Sequence, residues 1–221
     1  MQEEKIEKRL SIPFLIAFSL LLLLVSYSSW HYLSDGLTFR YDGIAHTARV
    51  HFVSKSLQKL QWPLWTNEWY CGYPLMQFYS PLFFLIAGAT ELITHDPVTA
   101  VKIVLFAANI LSGITIFFLA STLCRNYVAG IFSALIYAMA PWHFMQIMDY
   151  GRFPVSFIYA FLPLPFLFYE LYRSNLLCFK KSAILSGCSI ALLVLSHYGY
   201  TLICVYIFVL WYPRCLFCWL G

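Results

Sequence analysis

Three clusters of polar residues interrupt a chain that is otherwise apolar, and each carries side chains capable of chemistry. The first is Asp42-Gly43-Ile44-Ala45-His46. Asp42 and His46 stand at i and i+4, so on a helix they share one face and can touch. An Asp there can serve as a general base, as a metal ligand, or as the cap of the helix that follows, and pattern alone favours the cap. The second is Trp142-His143, followed by Asp149-Tyr150-Gly151-Arg152-Phe153-Pro154. A carboxylate and a guanidinium this close to a bilayer are costly unless they pair or line an aqueous cavity. The plainer reading is an interfacial Asp149 to Arg152 ion pair among aromatic anchors. The sharper one is a phosphate site, because the planar arginine fork offers bidentate donors. The third is His197, within Leu195-Ser196-His197-Tyr198-Gly199-Tyr200, where it divides one long apolar stretch. A His at a break between membrane segments is a functional candidate, and otherwise a polar turn bonded to Ser196 or to backbone. Glu91, His95 and Asp96 form a fourth, weaker group, while Glu170 and Lys102 read as segment-end side chains that snorkel.

The elements that must position these groups are set by composition. Of 221 residues, 61% are hydrophobic and 11% charged, against roughly 45–50% apolar and about 25% charged in an average soluble domain. With a mean hydropathy of +0.72, the chain has too much apolar surface for a soluble fold of this size and implies an all-α integral membrane protein. Soluble-enzyme, disordered, collagen-like and disulfide-scaffold readings are excluded. The net charge of +4 is small and forms no basic stripe, so nucleic acid is not an implied partner; the lipid bilayer is. Seven Cys, an odd number, cannot all pair within the chain. Cys215 and Cys218 make a C-x-x-C without two further ligands at metal-site spacing.

A single membrane domain over 1–221 is the economical reading, with no internal repeat. Residues 12–30 form a first span behind a charged start, Glu3 to Arg9, which keeps the N-terminus cytoplasmic. Residues 31–80 form a long outer loop rich in Trp and Tyr. Within it, Asp42 to Leu60 reads as a surface helix with Ile44, Val50, Val53, Leu57 and Leu60 on its apolar side. Residues 81–213 hold the remaining membrane segments at 81–94, 98–121, 127–141, 154–172, 182–196 and 200–213. Counting every segment as a crossing puts Arg125 and Lys180-Lys181 outside, against the positive-inside tendency. Keeping Leu82 to Thr94 at the outer face as a half-helix puts Arg125, Arg173, Lys180, Lys181 and Arg214 inside. The expectation is therefore a bundle of about six spans, with the three polar clusters on one outer face.

A first span, an outer loop with Asp followed four residues later by His, then Leu60-Gln61-Trp62-Pro63-Leu64-Trp65, Cys71-Gly72-Tyr73-Pro74 and Phe78-Tyr79-Ser80-Pro81-Leu82 together resemble the GT-C superfamily of polytopic glycosyltransferases. Within it the likeness is strongest to the membrane proteins labelled "6-pyruvoyl-tetrahydropterin synthase related". The resemblance runs from about residue 12 to 212. The family's positions would fall on Asp42, Gly72 with Pro74, Tyr79 with Pro81, Asp149 to Arg152, and Ser196 with His197. The family often has two adjacent acidic residues where this chain has Asp42-Gly43, and characterised members are far longer, so the chain resembles an N-terminal membrane half. The resemblance implies transfer of a sugar from a polyprenyl-phosphate donor to an acceptor at the extracytoplasmic face of the plasma membrane. Asp42 would orient or deprotonate the acceptor and Arg152 would hold phosphate. His46, Asp149 and His197 would line the site, and a divalent metal is compatible but not specified. Two rival classes are a transporter, which lacks support from any inverted repeat, and a non-catalytic membrane scaffold.

Overall fold

The computed structural model describes residues 12–34, 41–68 and 71–217, with side chains as far as 210. Asp35 and Arg40 of the outer loop and Cys218 of the C-x-x-C lie outside the described residues. Among the described residues every regular element is a helix, and the one bridge of extended chain pairs Thr66 with Tyr73. In order these are α1 Ile12–Ser29, running into a 3-10 turn Trp30–Leu33, then α2 Gly43–Gln58, α3 Leu82–Thr94, α4 Pro97–Cys124, α5 Tyr127–Ala138 and α6 Pro141–Met148. The chain continues through α7 Phe153–Ile158, α8 Leu164–Arg173, α9 Phe179–Ser196 and α10 Tyr198–Phe217. Among the described residues, four stretches are long and apolar enough to cross a membrane: Ile12–Leu33, Pro97–Cys124, Tyr127–Met148 and Phe179–Ser196. The protein is thus a helical membrane protein.

α1 is apolar all round, as a helix facing lipid must be, yet it buries one seam, Ala17, Leu21, Val25 and Ser29. These residues recur every fourth position and face α4 and α5. The seam ends in a polar clasp. Asn109 of α4 donates Nδ2–H to Ser29 Oγ at 2.8 Å, and Ser29 in turn donates to the Val25 carbonyl at 2.6 Å. Such clasps hold helices together in lipid, where burial of carbon against carbon gives little.

α4 begins and ends sharply. Asp96 caps it by accepting from the Thr99 amide at 2.7 Å, with Pro97 in the first turn where its missing N–H costs nothing. Arg125 closes it in the left-handed region at φ 52°, and Asn126 then caps α5 through the Val128 amide at 2.8 Å. α5 folds back along α4 very closely. A Cβ placed on Gly130 would stand 2.0 Å from Ser121 Oγ and 2.9 Å from a Phe117 ring carbon.

Three expectations change. The segment 154–172 is not one helix: it divides at 159–163 into α7 and α8, because Pro163 and Pro165 remove amides that a continuous helix would need. The carbonyls freed at the break find partners elsewhere, Tyr159 O accepting from Tyr137 Oη at 3.0 Å and Leu162 O facing Cys204 Sγ at 3.8 Å. α2 is a helix as expected and packs Val50, Val53 and Leu57 into the core, but the same face also buries polar side chains and leaves Ile44 out. Gly43, His46, Thr47, Arg49, Val50, Val53 and Ser54 are buried, whereas Ile44 is 62% and Leu60 96% exposed. Glu170 does not snorkel. It is 1% exposed and forked by Arg173, Nε to Oε2 and Nη2 to Oε1, both at 2.8 Å.

α3 is about 20 Å long at 1.5 Å per residue, short of the hydrocarbon core. It crosses α2 tightly, since a Cβ on Gly88 would lie 2.7 Å from Val53 Cγ1. Glu91 of α3, buried, accepts from His51 Nδ1 at 2.5 Å. Beneath this pair of helices, Val50, Val53, Phe83, Phe84, Val104 and Phe153 belong to the main core cluster.

Candidate functional site at the Asp42 pole

The start of α2, the turn after α6 and the junction of α9 with α10 meet at one end of the bundle. Asp42 does not cap α2. Its backbone is already helical, φ −78° and ψ −12°, and no side-chain cap bond forms, because a capping residue needs an extended backbone to turn its oxygen onto the first free amides. What fixes it is a backbone bond from the Asp42 amide to the Tyr150 carbonyl at 3.3 Å. The carboxylate is left facing Arg152, with Oδ2 3.6 Å from Nε. Both side chains are about half exposed, at 51% and 50%, so the pair is open to a ligand and weak in itself.

Arg152 therefore pairs with a carboxylate from the first loop and not with its sequence neighbour. Asp149 closes the end of α6 through a backbone bond to Met145 O at 3.1 Å. Its carboxylate, part-buried, makes no hydrogen bond or ion pair among the described residues. The Arg152 guanidinium lies 5.2 Å from the centre of the Tyr150 ring, an arrangement in which the aromatic face supports the cation.

His46, one turn after Asp42, points inward and does not bond the Asp42 carboxylate. It is enclosed by the rings of Tyr79, Phe84 and Phe153 at 5.4, 5.5 and 6.0 Å. Arg49 Nη1 donates to His46 Nδ1 at 3.3 Å. Since a guanidinium only donates, His46 Nδ1 is the acceptor and its Nε2 carries the proton. Burial, with the charges of Arg49 and His197 adding to it, pushes the His46 pKa down to about 3. His46 is thus a neutral imidazole at physiological pH.

The third cluster is built separately. His197 stands at the break between α9 and α10 in extended backbone, φ −169° and ψ 105°. Its Nδ1 accepts from the Tyr200 amide at 3.4 Å, and its ring meets the Tyr200 ring edge-on at 5.2 Å. Burial lowers its pKa as well. His143, grouped with this pole by sequence, lies instead in the interior, its ring stacked on Tyr159 at 3.8 Å.

Sequence reasoning passed over Arg49 and Tyr79 as site residues. Arg49 is 7% exposed and sits over the Tyr79 ring at 4.1 Å. The signal was present in the spacing, because Asp42, His46 and Arg49 at i, i+4 and i+7 form one helical face. Beside this face lies a groove of about 380 Å³ whose lining includes Tyr41, Ala45, Arg49, Thr66 and Glu68. Among the described residues no three His, Cys, Asp or Glu side chains converge as a metal cage. A magnesium-type ion typically takes one or two carboxylates with the rest from substrate and water, and Asp42 is the exposed carboxylate here that suits that role. Compared with protein-family models, curated proteins and solved structures, the chain finds no match.

Proposed function

We propose that the protein is a GT-C type glycosyltransferase that moves a sugar from a polyprenyl-phosphate donor to an acceptor at the extracytoplasmic face of the plasma membrane. The reading has the N-terminus cytoplasmic and about six crossings, with α3 kept as a half-helix at the outer face. The observation that carries it is the open pairing of Asp42 with Arg152, from segments far apart in sequence, above the buried His46 and Arg49.

The chemistry of such a transfer needs two groups near each other. Departure of the lipid phosphate leaves negative charge, which a guanidinium stabilises through charge-assisted hydrogen bonds. Attack by the acceptor requires its proton to be taken or its hydroxyl held, which an ionised carboxylate does. Arg152 is half exposed and its pairing with Asp42 is open, so a phosphate can take the place of Asp42. Asp42, released, then meets the acceptor lying in the adjacent groove. Arg49, which lines that groove, also fixes neutral His46 in the interior beneath it, and in this reading His197 and Asp149 complete the site.

The test is Asp42→Asn in the full chain, extended by any natural C-terminal partner region, assayed for transfer from a polyprenyl-phosphate sugar. The substitution keeps size and hydrogen bonding while removing the base, so transfer is expected to fall about 10²–10⁴-fold. Undiminished transfer at equal expression would sink the role of Asp42.

A further inference from the structure

A second groove lies at the opposite end of the bundle. α1 starts beside it at Phe14 and finishes at the Asp42 pole, where His31 meets Phe144 at 5.1 Å. The cavity is a groove of about 450 Å³ walled by Phe14, Phe117, Phe118, Tyr127 and Leu171, with Arg125 at its mouth. The rings form one continuous wall, Phe14 edge-on to Tyr127 at 5.7 Å and Phe117 stacked on Tyr127 at 6.4 Å.

We propose that this groove seats one anionic phospholipid, with an acyl chain against the aromatic wall and the phosphate on Arg125. Three observations lead there. First, the walls carrying Phe14, Phe117, Phe118 and Tyr127 come from helices that are long and apolar enough to lie in a bilayer. An apolar groove between such helices fills with hydrocarbon, because an unfilled one loses its dispersion contacts and a wet one gives water no partners. Second, the cation at the mouth is available. Arg125 is exposed at the left-handed turn between α4 and α5 and makes no ion pair or side-chain hydrogen bond among the described residues. Third, among the described residues Glu170, next to Leu171 of the wall, is already engaged, forked by Arg173. Among the described residues the groove therefore presents a cation over carbon, the combination by which basic pockets between membrane helices select phosphate headgroups. Arginine supplies paired donors to a phosphodiester that a lysine cannot match. The inference needs only the membrane character of the chain and does not rest on the transferase reading.

The experiment is native mass spectrometry of the full chain released from vesicles of equal phosphatidylglycerol and phosphatidylcholine. One phosphatidylglycerol should be retained in preference. Arg125→Gln should cut that retention about tenfold, the effect of one charge-assisted hydrogen bond, and Arg125→Lys should recover part of it. Leu171→Trp should abolish retention with Arg125 intact, because it fills the groove. Soluble glycerophosphate, which has the headgroup without the chains, should fail to displace the lipid. Equal retention of the two lipids overturns the proposal, as does retention unchanged in both Arg125→Gln and Leu171→Trp. Displacement by glycerophosphate at lipid-like strength overturns the acyl-chain part and leaves a headgroup site only. Because Leu171→Trp crowds the wall, a thermal melt accompanies it. If that variant unfolds, Arg125→Gln against Arg125→Lys decides alone.

Discussion

The two ends of the bundle solve the problem of holding helices together in different ways. At the far end, α1, α4 and α5 close on small and aromatic side chains, with Gly130 letting α5 lie directly on Ser121 and Phe117. At the Asp42 pole, α2 turns a face carrying His46, Arg49 and Ser54 inward and leaves Ile44 in the open. The first end gains stability from close packing. The second places a buried guanidinium and a neutral imidazole under an exposed carboxylate, an arrangement that adds little stability by itself and is costly to keep. The difference teaches where each kind of substitution should be felt.

The sharpest break of that comparison is Arg152→Gln. It removes the half-exposed cation, and transfer should fall about 10²–10³-fold, the usual cost of one electrostatic stabiliser. The melting temperature should hardly move, since open ion pairs contribute little. A large loss of stability with transfer intact would reverse the roles assigned to the two poles. Gly130→Leu is the mirror experiment. The added side chain collides with Ser121 and Phe117, so stability should drop by about 1–3 kcal/mol by overpacking, read from thermal unfolding in detergent. Transfer per folded molecule should persist. Asn109→Leu, which unlinks the clasp to Ser29, should cost about 1 kcal/mol or less.

The pH dependence separates the poles most finely. His46 is neutral in the folded protein down to about pH 3, whereas in the unfolded chain it takes a proton below about 6.5. Between those values the unfolded state binds more protons. Stability is therefore full above about pH 6.5 and declines as the pH falls toward 3. His46→Gln should flatten that slope in melts recorded across the window, and no change in slope would remove His46 as its source.

Much of the fold was legible. The α1 run, the helix at 82–94, the break at His197 and the helix near 43–58 all follow from hydropathy, proline positions and periodicity. Asp42 also meets Arg152, with His46 buried one helical turn further on. What could not be read was orientation and partnership. Periodicity put Ile44 on the same apolar side as Val50 and Val53, but the rings of Tyr79, Phe84 and Phe153 enclose His46 instead and Ile44 stays exposed. Nearness along the chain suggested Asp149 for Arg152, yet the Asp42 amide is tied to Tyr150 O and brings the other carboxylate into reach. Both failures have one cause, that a helix face is chosen by distant segments whose arrival no local pattern encodes.

The break between α7 and α8 bears on how the molecule is made. Lipid offers no donors, so the carbonyls of Tyr159 and Leu162 are satisfied only when Tyr137 and Cys204 lie beside them. Tyr137 has already been synthesised when the break emerges from the ribosome, but Cys204 lies 42 residues beyond Leu162, in α10. The partner of the Leu162 carbonyl therefore arrives later than the break itself, so α10 completes a polar arrangement that α5 begins.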